Sequence, residues 1–132
     1  KYEVDSLEAS KSSKEEVIVF TNGCFDIIHY GHLDLLKEAR NYGDRLIVGL
    51  NSDKSISKIK GPERPIIDQS ERKKILSALE FVDEVIIFNE KNPLKLIKKL
   101  KPSILVKGAD YKKEQVVGGA FVESYGGENQ AC

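Results

Sequence analysis

The sequence predicts a Rossmann-like α/β domain, a doubly wound parallel sheet in a three-layer α/β/α sandwich. Three observations lead there. Short runs of β-branched and aromatic residues carry no polar alternation, as in strands buried on both faces. Segments of helical period, apolar on one side and charged on the other, separate those runs. Strand and helix alternate from residue 17 onward, the order that right-handed β-α-β crossovers produce.

The elements follow in order. Residues 1–16 (KYEVDSLEASKSSKEE) are a polar lead-in with one weak helix around Asp5–Lys11. Val17–Thr21 (VIVFT) is the first buried strand. Gly31–Tyr42 is a helix with Leu33, Leu35, Leu36 and Ala39 on one side, and Gly43 ends it. Arg45–Leu50 is the second strand and Asp53–Ile59 a short helix. Lys60–Ile67 (KGPERPII) reads as a loop, because one Gly and two Pro interrupt any regular pattern. Asp68 caps the next helix, with Glu71 three residues on and Ile75, Leu76 and Leu79 as its apolar face. Asp83–Phe88 holds the third strand. Asn92 caps a helix over Leu94–Leu100, with Pro93 at its first position and Pro102 beyond its end. Ser103–Val106 is the fourth strand, and Lys112–Val117 and Ala120–Tyr125 are short helical stretches around Gly118-Gly119. Residues 17–132 therefore form a single domain, as a length of 132 residues suits.

Composition narrows the function classes. Lys plus Arg and Asp plus Glu both number 21, so the net charge is zero. That lacks the basic footprint of a nucleic-acid or anionic-membrane binder. The apolar runs are too short to span a bilayer, and no signal-peptide pattern opens the chain, so a cytoplasmic location is expected. Cys24 and Cys132 give neither a disulfide framework nor metal-ligand spacing. The sequence contains no Met, so we expect a chain that does not begin at a translation start.

In this fold class ligands sit beyond the carboxyl ends of the strands. The segment after the first strand runs Asn22-Gly23-Cys24-Phe25-Asp26-Ile27-Ile28-His29-Tyr30-Gly31-His32. It matches neither G-x-G-x-x-G nor the P-loop, which argues against nicotinamide binding and P-loop hydrolysis. It places His29 and His32 three apart at a helix start, hence on one face. Gly31 would let a ligand approach the backbone. The helix N-terminus attracts phosphate, and two imidazoles can donate to phosphate oxygens as charge builds. Either histidine alone reads as a satisfied, half-buried ring. Together they are the only two in the chain and share the expected ligand edge, which favours function.

The string Gly23-Cys24-Phe25-Asp26 with His29-Tyr30-Gly31-His32 resembles the G-x-F-D-x-x-H-x-G-H signature of the cytidylyltransferase-like nucleotidyltransferases. The similarity continues through Gly43–Val48, Asn51-Ser52-Asp53, Lys60-Gly61, Arg64-Pro65, Glu71-Arg72, Val106-Lys107-Gly108 and Asp110-Tyr111, over roughly residues 17–127. Within that superfamily it is most similar to the adenylyltransferases acting on D-glycero-D-manno-heptose 1-phosphate for lipopolysaccharide or related surface glycans. Glycerol-3-phosphate cytidylyltransferases using CTP come next.

The resemblance implies transfer of AMP from ATP, with Mg²⁺, to a sugar 1-phosphate and release of pyrophosphate. It implies that His29 and His32 hold the triphosphate, that Thr21, Asn22, Gly23, Cys24, Phe25 and Gly31 line the nucleotide site, and that Arg72 contacts the triphosphate. The bland alternative for Arg72 is a surface salt bridge. Lys60 would act as a mobile cation in a closing lid, against the reading of a solvated lysine. Lys107, Gly108 and Asp110 would meet the base or ribose. Asp26 either orients the loop, helps place Mg²⁺ or makes a turn. Asn51 and Asp53 touch the acceptor or fix their loop. Cys24 reads as a small reduced cysteine rather than a nucleophile. The resemblance also raises a homodimer and a partner or fused sugar kinase.

One departure stands out. After Gly126-Gly127 the family continues with a short strand and then a Ser/Thr loop opening a last helix; here Glu128–Cys132 ends the chain, so we expect that strand and helix to be lacking. This keeps a nucleotide-binding module without turnover as a reading of another class.

Overall fold

A computed structural model describes residues 16–107 and 117–131. The weak helix expected near Asp5–Lys11 and, apart from Val117, the helical stretch expected over Lys112–Val117 lie outside the described residues. Five strands form one wholly parallel sheet: β1 (Ile18–Gly23), β2 (Arg45–Asn51), β3 (Glu84–Phe88), β4 (Ile104–Lys107) and β5 (Glu128–Ala131). Their order is β3-β2-β1-β4-β5. The chain leaves the centre in one direction through β2 and β3, then crosses β1 and continues through β4 and β5. The order reverses between β1 and β4, where such sheets bind ligands.

Among the described residues five helices accompany them: α1 (Tyr30–Asn41), α2 (Asp53–Lys60), α3 (Gln69–Ser77), α4 (Leu94–Leu100) and α5 (Gly119–Ser124). The missing polar alternation in the strands has its cause here, since both faces of the sheet are covered. On one face Val19, Leu46, Val48, Leu50 and Val106 pack with Leu36 and Ala39 of α1 and Leu76 of α3. On the other, Phe20, Ile47 and Leu105 pack with Ile97 of α4 and Val122 of α5. Successive strand residues thus feed opposite cores. Gly49 in the middle of β2 makes room for this: a Cβ there would lie 2.6 Å from Cζ of Phe20.

Three expectations need correction. Glu128–Ala131, where the short strand was expected to be lacking, forms β5 and pairs with β4 from Ile104↔Glu128 to Lys107↔Ala131. ENQA lacks β-branched residues, so its strand state comes from the unpaired edge of β4 rather than from propensity. Lys60, assigned to a loop, closes the last turn of α2, with Gly61 at the C-cap. Pro93, expected as the first helical residue, occupies the N-cap of α4 itself; Asn92 Oδ1 still accepts from the Leu94 amide at 3.1 Å. Asp68 caps α3 as expected, accepting from the Glu71 amide at 2.9 Å.

Candidate active site

β1 ends at Gly23, and the chain turns into α1 through Phe25, whose φ is 46°. A phenylalanine in the left-handed region is strained, and such strain concentrates at functional turns. Burial holds it: the ring is 4% exposed and lies 5.2 Å from the ring of His32. Thr21 and Asn22, just before the turn, line a cavity of about 590 Å³ at the carboxyl edge of the sheet. The Thr21 hydroxyl is committed, donating to the Val106 carbonyl at 2.8 Å and tying β1 to β4. The Asn22 Oδ1 is buried with no hydrogen-bond partner among the described residues. A buried acceptor without a donor costs about 1–3 kcal/mol, so the cavity wall is better matched to a ligand that donates there.

His29 and His32 both line this cavity. His29 is the N-cap of α1, and its Nδ1 accepts from the Gly31 amide at 3.1 Å. The His32 Nδ1 accepts from the His29 amide at 3.1 Å. A capping box usually made with Ser and Glu is here made with two imidazoles. The consequence is chemical. A neutral imidazole whose Nδ1 accepts must carry its proton on Nε2. Each ring thus keeps one N–H donor beyond the helix start, and the ring centroids lie 4.0 Å apart. Burial, and then the neighbouring His29, push the His32 pKa below its ordinary value, which favours the neutral donor. Gly31, expected to admit a ligand to the backbone, does not line the cavity. A Cβ on it would lie 2.9 Å from Cε1 of His29, so its role is to leave space for that ring.

Asp26 is 5% exposed. Its Oδ1 accepts from the Ile67 amide at 2.9 Å and the Ile66 amide at 3.0 Å, while Oδ2 meets Arg64 Nε at 2.8 Å and Nη2 at 2.6 Å. Burial alone would raise its pKa, but the two amides and Arg64 outweigh that and bring it down to about 2. Of the readings open for Asp26, orienting a loop is the one its contacts fit. The loop oriented is residues 61–67, whose Arg64–Pro65 peptide is cis. Lys60 and Arg64 also line the cavity. Arg64 is a lining residue that the sequence reading missed as a candidate, although the Arg-Pro pair was visible.

Arg72 differs from both of its expected roles. It is 0% exposed, so the ion pair that it makes with Asp53 is anchored from inside the protein. Its Nε donates to the Ile67 carbonyl at 2.8 Å, Nη1 to the Cys24 and Asn51 carbonyls at 2.8 Å each, and Nη2 to Asp53 at 2.7 Å. It braces three loops from behind the cavity and does not line it. Asp53 is occupied with this arginine and does not line the cavity either. Asn51 does line it; its Nδ2 donates to Ser55 Oγ at 3.0 Å. The three-loop convergence could not be seen from sequence, because Arg72 lies on a charged stretch, Glu71-Arg72-Lys73-Lys74, that imitates a solvated helix face.

Lys107 ends β4 and lines the cavity with Gly23 and Cys24. Burial lowers its pKa to about 8, against a smaller opposing pull from Cys24. Cys24 is a half-buried free thiol. Gly108 and Asp110 lie outside the described residues. Lys91, Asn92 and Pro93 complete the rim from the loop after β3, unforeseen because nothing in their composition marks a ligand site. Among the described residues no cluster of three His, Cys, Asp or Glu side chains could hold a metal ion. Asp26, the carboxylate that lines the cavity, has its oxygens filled. The described residues therefore do not fit a protein-held Mg²⁺. No described helix is long and apolar enough to cross a membrane.

A Rossmann-like sheet with an imidazole pair at its switch point defines a nucleotide-handling class of α/β domain. The chain belongs to the cytidylyltransferase-like family, whose sequence profile matches residues 20–130. It is 55% identical over 121 residues to the bifunctional protein HldE of Geobacter metallireducens, covering 92% of this chain and 24% of that protein. It is 57% identical over 116 residues to bifunctional protein HldE of Campylobacter fetus subsp. fetus, covering 88% of this chain and 25% of that one. The chain thus spans about a quarter of the length of the curated relatives it matches. The crystal structure of the lipopolysaccharide core biosynthesis protein from Thermoplasma volcanium superposes with a TM-score of 0.74 at 30% identity, over 88% of this chain and 95% of that one. A pantoate-beta-alanine ligase from Francisella tularensis shares the fold at a TM-score of 0.65 and 19% identity, over 90% of this chain and 59% of that one.

Proposed function

We propose that this nucleotidyltransferase domain transfers AMP from ATP to heptose 1-phosphate, releasing pyrophosphate and forming ADP-heptose for surface-glycan synthesis. The observation that carries the reading is the imidazole pair, whose backbone-pinned Nδ1 atoms leave two Nε2–H donors at a helix N-terminus lining a cavity with Lys60 and Lys107. The resemblance of the Lys107-Gly108-Ala109-Asp110-Tyr111 run to the sugar branch supports the acceptor. So does the description of relatives at 55% identity as bifunctional, which fits a fused sugar kinase that supplies the acceptor. ATP and sugar phosphates are cytoplasmic metabolites, and the activity belongs in that compartment.

The chemistry asks little covalent work of the protein. An oxygen of the sugar phosphate attacks the α-phosphorus in line. That P–O bond forms as the bond to the bridging oxygen of the β-phosphate breaks, and the electron pair leaves on pyrophosphate. A phosphate monoester is largely dianionic at pH 7 (second pKa about 6), so it needs no general base. That agrees with a cavity whose carboxylate, Asp26, is already occupied. His29 and His32 donate to the phosphoryl oxygens as charge builds, and Lys107 offsets ligand charge. A divalent ion enters only as part of the ATP substrate.

The test is a matrix of pyrophosphate release, ATP or CTP against heptose 1-phosphate or glycerol 3-phosphate. Turnover with ATP and heptose 1-phosphate is expected. Turnover with CTP alone would replace the reading by a cytidylyltransferase, and ATP binding without product in any pairing would leave a binding module.

A further inference from the structure

We propose that Arg64, held side-on by Asp26, is the anchor for the phosphate of the acceptor substrate; this rests on the transferase reading above. Asp26 Oδ2 engages the Nε and Nη2 edge of the guanidinium at 2.8 and 2.6 Å. That contact leaves Nη1 and the second Nη2 hydrogen without a partner among the described residues. A guanidinium presents its donors in a rigid fork, so fixing one edge fixes the direction of the other. The two partners differ in exposure: the Asp26 side chain is 3% exposed and that of Arg64 35%. The carboxylate is covered while the cation stays open and lines the cavity. Two backbone amides share the Asp26 charge, so the carboxylate is not fully matched to the arginine and a second anion can still be attracted.

The position selects which anion. The nucleotide belongs at the reversal between β1 and β4, with its phosphates reaching the imidazole pair at the start of α1. Lys60 and Arg64 are carried by the chain that follows β2, the strand on the side of β1 away from β4. Two cations there, beyond the phosphates of the nucleotide, suit a second phosphorylated reactant. The ligand class is a phosphate monoester, and Asp26 is a positioning residue that acts through Arg64.

Arg64→Lys keeps the charge, loses the fork and leaves Asp26 its two amide donors. It is expected to raise KM for heptose 1-phosphate about tenfold while KM for ATP stays within about twofold. Calorimetric titration of heptose 1-phosphate and glycerol 3-phosphate, without ATP, reads the same site independently of turnover, and Kd should rise in parallel. Asp26→Asn should speed amide exchange at Ile66 and Ile67 and raise the same KM. A rise confined to KM for ATP, unchanged constants in Arg64→Lys, or wild-type protein that binds neither phosphate ester would overturn the proposal. Wild-type protein that binds the ester with an Arg64-dependent Kd, yet releases no pyrophosphate, would uphold the anchor while rejecting the transferase.

Discussion

At His32 the two ring nitrogens have separate tasks, and substitutions can divide them. Asparagine offers an acceptor near the place of Nδ1 and nothing near Nε2. His32→Asn should therefore keep the α1 cap, with a melting temperature close to wild type, and lose about 100-fold in kcat, as when one transition-state donor is removed. Near-normal turnover in His32→Asn would sink the proposed role. Protonation would put a hydrogen on Nδ1, facing the His29 amide that it accepts from. The His32 pKa is lowered in the fold. Its stabilising contribution is thus present above the ordinary histidine value of about 6.5 and is lost as pH falls through the lower folded value. An NMR titration of the His32 Cε1 proton should show a midpoint below that of a free histidine. Lys107 gives the opposite limb. Its pKa of about 8 means that the free protein sheds the proton in mild alkali. ATP affinity should weaken as pH rises above about 8, a trend that titration calorimetry reads directly and that Lys107→Arg should abolish.

Among the elements, the connection between α2 and α3 carries the most information. The sequence marked residues 60–67 as a loop because of its Gly and Pro residues, with Lys60 as a mobile cation in a closing lid. The structure ties the loop instead, through Asp26 to the amides of Ile66 and Ile67 and through Arg72 to the Ile67 carbonyl. Arg72 matters for the same reason. Its guanidinium joins the loops after β1 and β2 to the loop before α3, and removing it takes away the side-chain donor that the Cys24 and Asn51 carbonyls share. Arg72→Met should cost about 3 kcal/mol, measured by urea unfolding. Loss of nucleotide affinity with unchanged stability would instead assign Arg72 to the triphosphate. β5 teaches the converse lesson. A segment with no strand propensity becomes a strand because β4 offers an open edge.

For the whole molecule, acid sensitivity follows from the same ties. The Asp26 pKa is depressed to about 2, so its stabilising contribution is complete above the unfolded value of about 3.9 and disappears as pH falls toward 2. Arg64, the cationic partner, is 35% exposed, and solvent screening on its side reduces the contribution to about 1 kcal/mol. Urea midpoints measured from pH 5 to pH 2 should fall less steeply in Asp26→Asn than in wild type. A parallel decline in both proteins would show that other carboxylates carry the acid limb. Zero net charge does not oppose a phosphate ligand, since the cavity gathers Lys60, Arg64, Lys107 and the imidazole pair locally while acidic residues elsewhere balance the total.

The sequence by itself determined the alternation of strands and helices, the parallel sheet covered on both faces, and the histidine-bearing edge after β1. These are set by hydrophobic periodicity and by a local string of residues, and both act over short stretches of chain. Tertiary structure decided the matters that need distant segments to meet. It buried Arg72 among carbonyls from three loops, matched Asp26 with an arginine 38 positions away, and turned Glu128–Ala131 into a strand. A charged side chain shows its type in the sequence, but its partner is fixed only when burial makes an unpaired charge or carbonyl too costly to leave.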